Sequence, residues 1–77
     1  MLTLKELRER ALLSQGELAK AIGVHRQTIH YWEGGLSTPR PANQRLMVVT
    51  LKCTPEELLA AIRAAGKREE QKERPAA

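Results

Sequence analysis

SQGELAKAIGVHRQTIHYWE, residues 14–33, decides how this chain folds. Read with a period near 3.6, it divides into two short helical segments. Leu18 and Ala19 share one face of the first, and Ile22 follows in the turn. Ile29 and Trp32, three apart, share a face of the second. Gly23 stands between them, where a chain leaving a helix often takes a positive φ that only glycine adopts without strain. Neither segment buries enough apolar surface alone, so the two must pack across the glycine turn. The spacing therefore predicts a helix-turn-helix, two helices crossing steeply through a short turn. The second helix then turns His25, Arg26, Gln27, Thr28, His30 and Tyr31 to solvent. That face is rich in hydrogen-bond donors and carries one fixed charge, a chemistry suited to base edges more than to a protein core or a bare phosphate backbone.

Upstream, Thr3 and Glu6 form a T-x-x-E capping box that starts a first helix. Leu4, Leu7 and Ala11 make its buried stripe, while Lys5, Glu6, Arg8, Glu9 and Arg10 make a solvated face with Glu6–Arg10 and Lys5–Glu9 as i,i+4 pairs. Arg8 or Arg10 is also placed to meet a phosphate if the helix end points at a duplex. Leu12 and Leu13 close this helix, and Ser14 with Glu17 repeats the capping box for the second. Gln15 falls in that helix's first turn, where free N–H groups favour an anion. Gly16 costs up to about 1 kcal/mol against alanine in a helix interior, and only close packing or a close backbone approach would call for it.

Downstream, the third helix is expected from about His25 to Glu33, stopping at Gly34-Gly35. LSTPRPAN, residues 36–43, reads as a loop. A fourth helix spans about Pro41 to Leu51, with Leu46, Met47 and Leu51, and Val48 or Val49, facing the core. Val48-Val49-Thr50 has strand-like composition, but nothing else in the chain offers a strand partner. Thr54-Pro55-Glu56-Glu57 is a strong helix start. Leu58, Leu59, Ile62 and Ala65 form the apolar face of a fifth helix that Gly66 ends. The expected division is a domain over 1–66 and a polar C-terminal tail over 67–77, the tail a solvated helical extension or disordered.

The chain has 77 residues and a net charge of +4, with 13 basic against 9 acidic residues. This is one domain, burying roughly 60% of its unfolded surface, so dimerisation would help it. A pI near 9.7 fits nucleic acid or an anionic surface, although many small stable proteins are as basic. The single cysteine, Cys53, excludes an internal disulfide and a multi-cysteine zinc site, and reads as a small buried hydrophobe. No run approaches the roughly 20 apolar residues of a membrane span. MLTLKELRER is charged from residue 5 on and does not read as a secretory leader. The expected location is the cytoplasm.

With these residues in view, LRERALLSQGELAKAIGVHRQTIHYWEGGLSTPRP (residues 7–41) resembles the phage-repressor-like family of helix-turn-helix proteins, the Cro/cI or XRE family. The marks are L-S-Q-x-E-L-A over Leu13–Ala19, I-G-V over Ile22–Val24, R-Q-T-I over Arg26–Ile29, W-E-x-G over Trp32–Gly35, Pro39, and T-P-E-E-L-L over Thr54–Leu59. The likeness covers roughly residues 3–63. It implies an all-α fold, a compact, lambda-repressor-like bundle of five helices. It also implies sequence-specific binding of double-stranded DNA by a transcriptional regulator acting as a homodimer; the polar third helix and the net positive charge make a repressor the leading expectation, and a chain this short is expected to carry no effector domain. The third helix would lie in the major groove and the second would bridge the backbone. By position, Arg26, Gln27 and Tyr31 fall where the family reads bases, and His25 and His30 join that set. Gln15 and Thr28 fall where it grips phosphates. The loop from Gly35 to Arg40 resembles its second backbone contact, through Ser37 and Arg40. Leu7, Leu18, Ala19, Ile29, Trp32, Met47, Leu51 and Leu58 form the structural core, and Glu33 resembles the family's structural acid, which anchors a neighbour. Lys52 departs from a common glycine and Val48 from a common alanine; both bear on the dimer surface and leave the DNA face alone.

These roles are chemically sound. Arg26 can fork onto guanine O6 and N7, and Gln27 can pair with adenine N6 and N7. Tyr31 can meet a thymine methyl or merely cover a sugar. The dimer surface is expected on helix five and the end of helix four, with Leu59, Ile62 and Ala65 left over, and half-sites about 34 Å apart. A different class of reading is a protein-interaction module, or an antitoxin-like partner binder, that keeps the fold without reading DNA. An enzyme is the remotest reading. His30 and Glu33 stand i,i+3 with His25 near, but no H-E-x-x-H spacing or third ligand appears, so no catalytic residue, metal or cofactor is expected.

Overall fold

The computed structural model describes residues 2–73, and the side chains of residues 2–66. Its five helices are α1 (Leu4–Arg10), α2 (Gln15–Ile22), α3 (Arg26–Gly34), α4 (Pro41–Leu51) and α5 (Pro55–Glu73). There is no strand among the described residues, and Val48-Val49-Thr50 lies inside α4. This is an all-α helix-turn-helix bundle in which α3 packs on α2, α1 and α5, and α4 packs on α2, α1 and α5.

Three helix starts are fixed by local chemistry. Thr3 and Glu6, Ser14 and Glu17, and Thr54 and Glu57 each exchange side-chain-to-backbone hydrogen bonds of 2.8–3.1 Å. Each box satisfies two N–H groups that the helix itself leaves free. The Glu57 carboxylate also accepts from Arg10 at 3.3 Å, so Arg10 pairs across to α5 rather than with Glu6. The Thr54 N–H first, and Arg10 next, hold the Glu57 carboxyl below its ordinary value. A carboxyl lowered in the folded state stabilises the fold above its unfolded-state pKa, and that stability is lost as pH falls through the folded value. Glu57→Gln should therefore flatten the acid limb of a plot of thermal midpoint against pH. An unchanged acid limb would show that this carboxylate does not set it.

Four helices end on a left-handed residue: Leu12 (φ 62°), Gly23 (φ 91°), Gly35 (φ 80°) and Lys52 (φ 53°). In α1 the Leu12 N–H bonds to the Glu9 carbonyl at 2.9 Å and the Leu13 N–H to the Arg8 carbonyl at 3.2 Å. Lys52 and Cys53 repeat this pattern on Val49 and Val48 at 3.3 and 3.2 Å. Leu12 and Leu13 thus do not extend α1, which ends at Arg10. Leu12 is 88% exposed, so it accepts the strained conformation with no packing in return. Leu12→Gly and Lys52→Gly should each raise stability by about 0.5–1 kcal/mol, the relief of left-handed strain less the added chain entropy of glycine. Urea unfolding checks this, and a loss of stability would mean the strain is not there.

The centre of the bundle is aliphatic. Leu7, Leu18, Ile29, Met47, Leu51 and Leu58 are almost fully buried, joined by Leu4, Ala19, Ile22, Trp32 and Ala61. In α4 the period sets Met47 and Leu51 inward and Val48 half-buried. Leu46 and Val49 fall to either side of that stripe and are 45% and 74% exposed, not core. In α5 the inward stripe is Leu58, Ala61 and Ala65. Leu59 is exposed and Ile62 half-buried, so Ala65 is not left over while Leu59 is. α5 runs through Gly66 to Glu73. One glycine costs a helix only about 1 kcal/mol, and the good helix formers on either side carry the chain across it. The expected tail is therefore helical backbone through Glu73, and residues 74–77 lie outside the described residues. Cys53 is buried, and desolvation, with the nearby Glu57 charge, pushes its thiol above its ordinary pKa. No helix among the described residues is long and apolar enough to cross a membrane.

Candidate nucleic-acid interface

The α2–α3 turn is built on Gly23, whose N–H bonds to the Ala19 carbonyl at 2.8 Å, as does the Val24 N–H at 3.0 Å. Those bonds close α2 and aim α3 away from it. Ile29 and Trp32 then lock the inner side of α3 into the core. What remains outward is one arc of Arg26, Gln27, His30 and Tyr31, all exposed, with Thr28 half-buried at its edge. His25 caps α3 in extended conformation without a side-chain hydrogen bond to the helix, so its ring stays free. The rings of His30 and Tyr31 lie side by side, centroids 6.2 Å apart and tilted by 51°.

Behind this arc lies a polar anchor that the residue pattern placed wrongly. Arg8 is buried at 8% exposure, not on a solvated face. Its Nε and Nη2 fork onto the two carboxylate oxygens of Glu33, and its Nη1 donates to the Leu13 carbonyl at 2.9 Å. Gln15 Nε2 donates to the same Glu33 at 3.0 Å. Helices α1, α2 and α3 therefore meet on one carboxylate, and Gln15 is oriented from behind with its other amide N–H still available. Arg8 stands four residues after Leu4 and beside Leu7, at the edge of the buried stripe. That position was the available signal for burial. Glu33, weighed beside His30 as a metal pair, has its carboxylate taken up by these donors. No group of three or more potential metal-ligating side chains occurs among the described residues.

The second outward element is the α3–α4 loop. Pro39 is buried, and Gln44 Nε2 donates to its carbonyl at 2.8 Å. With the loop pinned at that point, Ser37 and Arg40 stand exposed on either side. Gly16, in the first turn of α2, has room for a methyl group: an added Cβ would lie 3.9 Å from Arg26 Cδ and Ser14 Oγ. The protein's own packing does not call for glycine there.

Compared with known families, residues 2–62 match the family described as "Helix-turn-helix domain". The chain belongs to the helix-turn-helix domain family. No curated protein and no solved structure matches it. The helix-turn-helix domain thus spans all of α1 to α4 and the first part of α5, and the exposed arc of α3 and the Arg8–Glu33 anchor both lie inside it.

Proposed function

We propose that this helix-turn-helix domain binds double-stranded DNA sequence-specifically as a two-fold dimer and regulates transcription, acting as a repressor of the phage-repressor-like type. The observation that carries the reading is the arc on α3. Its guanidinium, amide, imidazole and phenol groups face solvent together, on a helix whose other side is locked into the core. In this reading α3 enters the major groove. Arg26 and Gln27 read base edges, with His25, His30 and Tyr31 beside them. Gln15, Thr28, Ser37 and Arg40 hold phosphates on either side of the groove and fix the register. Repression then needs only occupancy of a site that overlaps a promoter.

Selection of bound duplexes from a random library tests this directly. The expected result is one enriched motif with two-fold symmetry, its half-sites about one helical turn apart. Affinity for the motif should fall steeply as salt rises, since phosphate contacts release counterions. No enriched motif, together with a shallow salt dependence, would overturn the reading and favour a protein-interaction module.

A further inference from the structure

Gly16 stands at the second position of α2, with a helical backbone that any L-residue can adopt. Glycine there weakens the helix, and the space around it does not require one. A Cβ at this position would rest 3.9 Å from Arg26 Cδ, in ordinary van der Waals contact. A longer side chain would run on from that Cβ beside the Arg26 stem, and its end would come within reach of the guanidinium. Arg26 has no ion-pair partner among the described residues, where the pairs are Arg8–Glu33 and Arg10–Glu57. α2 and α3 hold one acid each, and both are turned elsewhere. Glu17 accepts from the Ser14 N–H at 2.8 Å, and Glu33 accepts from Arg8 and Gln15. The first turn of α3 contains no acid, so Arg26 is an uncompensated cation at the positive end of a helix.

We propose that Gly16 sets base specificity through Arg26: by supplying no side chain, it keeps the guanidinium unpaired and able to reach a base edge. Gly16 is thus a positioning residue and touches no base itself. A guanidinium already forked onto a carboxylate has committed the donors that would read guanine O6 and N7. It must break that pair before it can read, and the base it prefers loses its advantage. A neutral side chain of the same length engages fewer of those donors and leaves the charge uncompensated. The helix and the interface therefore favour opposite residues at position 16. An acid in the first turn would stabilise α2, whereas base reading by Arg26 calls for no partner there. This role rests on the DNA-binding reading proposed above. Its readout is a ratio of affinities at one base position, which the Arg26 contact sets.

The test measures the affinity of the full chain for the selected duplex and for duplexes changed at single base pairs. Arg26→Ala marks the position that Arg26 reads. At that position Gly16→Glu should lose about fivefold or more of the parent's discrimination, while the other positions hold. The added negative charge also lowers affinity evenly on every duplex, through the phosphates, and leaves the ratios untouched. Gly16→Gln, equal in length and uncharged, should keep most of the discrimination. In an Arg26→Ala background, Gly16→Glu should change no ratio. Gly16→Glu should also melt at a higher temperature than the parent, since it exchanges a helix glycine for an acid in the first turn. A more stable fold that loses discrimination at one base position is not what a loosened domain would give. Parent-like discrimination by Gly16→Glu on a duplex that the parent selects overturns this role alone. An equal loss in Gly16→Gln overturns pairing as its cause. A parent that selects no motif overturns the DNA-binding reading, and this role with it.

Discussion

Glu33→Ala is expected to lower the unfolding free energy by about 3 kcal/mol, at the lower end of what breaking a buried ion pair costs. The Arg8 and Glu33 side chains are each 10% exposed, so some water reaches them and the full penalty is not expected. Removing the carboxylate strands the Arg8 guanidinium between α1 and α3, and it also frees the Gln15 amide. A small domain has roughly 5–15 kcal/mol of stability in all, so this single change should unfold a sizeable fraction of the chain on modest heating. Urea denaturation measures it. The double variant Arg8→Leu/Glu33→Leu separates two meanings of that loss. An apolar pair of similar volume should recover most of the stability, because the cost lies in the orphaned charge more than in the lost attraction. A Glu33→Ala loss below about 1 kcal/mol, the range of exposed pairs, would show that the anchor contributes no more than a surface contact. On the proposed function, the recovered double variant should still bind DNA more weakly, since Gln15 would have lost the group that orients it.

Arg26→Ala should weaken binding to the selected duplex by about 1–3 kcal/mol, or roughly 5- to 150-fold. The loss should be confined to sites carrying the matching base, so that discrimination at that one position relaxes while the others hold. Arg26 is exposed at the first helical position of α3, so the folded domain loses little with it and a thermal melt should be nearly unchanged. If Arg26 instead contacts a phosphate, affinity would fall evenly across sequences and the salt slope would drop by about one. Binding equal to the parent's on the selected site would remove Arg26 from the interface altogether.

How much of this was legible in the residues depends on how local each feature is. The three capping boxes span four residues each, and Gly23 needs only its own backbone, so pattern alone located these helix starts and the central turn. The outward arc of α3 followed from the inward spacing of Ile29 and Trp32. Arg8 escaped because its partner Glu33 is 25 positions away, and a local pattern cannot tell a solvated cation at the edge of a stripe from one folded under it. Leu46 escaped for a related reason, and the choice between Val48 and Val49 stayed open until packing selected Val48. Aliphatic composition marks α4 as buried, but only its packing against α2 and α5 decides which side is.

The sequence by itself determined the number of helices, most of their starts, the turn between α2 and α3, and the residues α3 turns outward, because all of these rest on hydrogen bonds and periodicity within a few positions. Only the tertiary structure decided that Arg8, Gln15 and Glu33 share one anchor, that Leu12 takes a left-handed conformation, and that α5 passes through Gly66 with Leu59 on its open side. The anchor and the Gly66 crossing each balance a local cost, a buried charge or a helix glycine, against contacts or helical continuity that exist only once the five helices are assembled, whereas the strain at Leu12 is carried without packing in return.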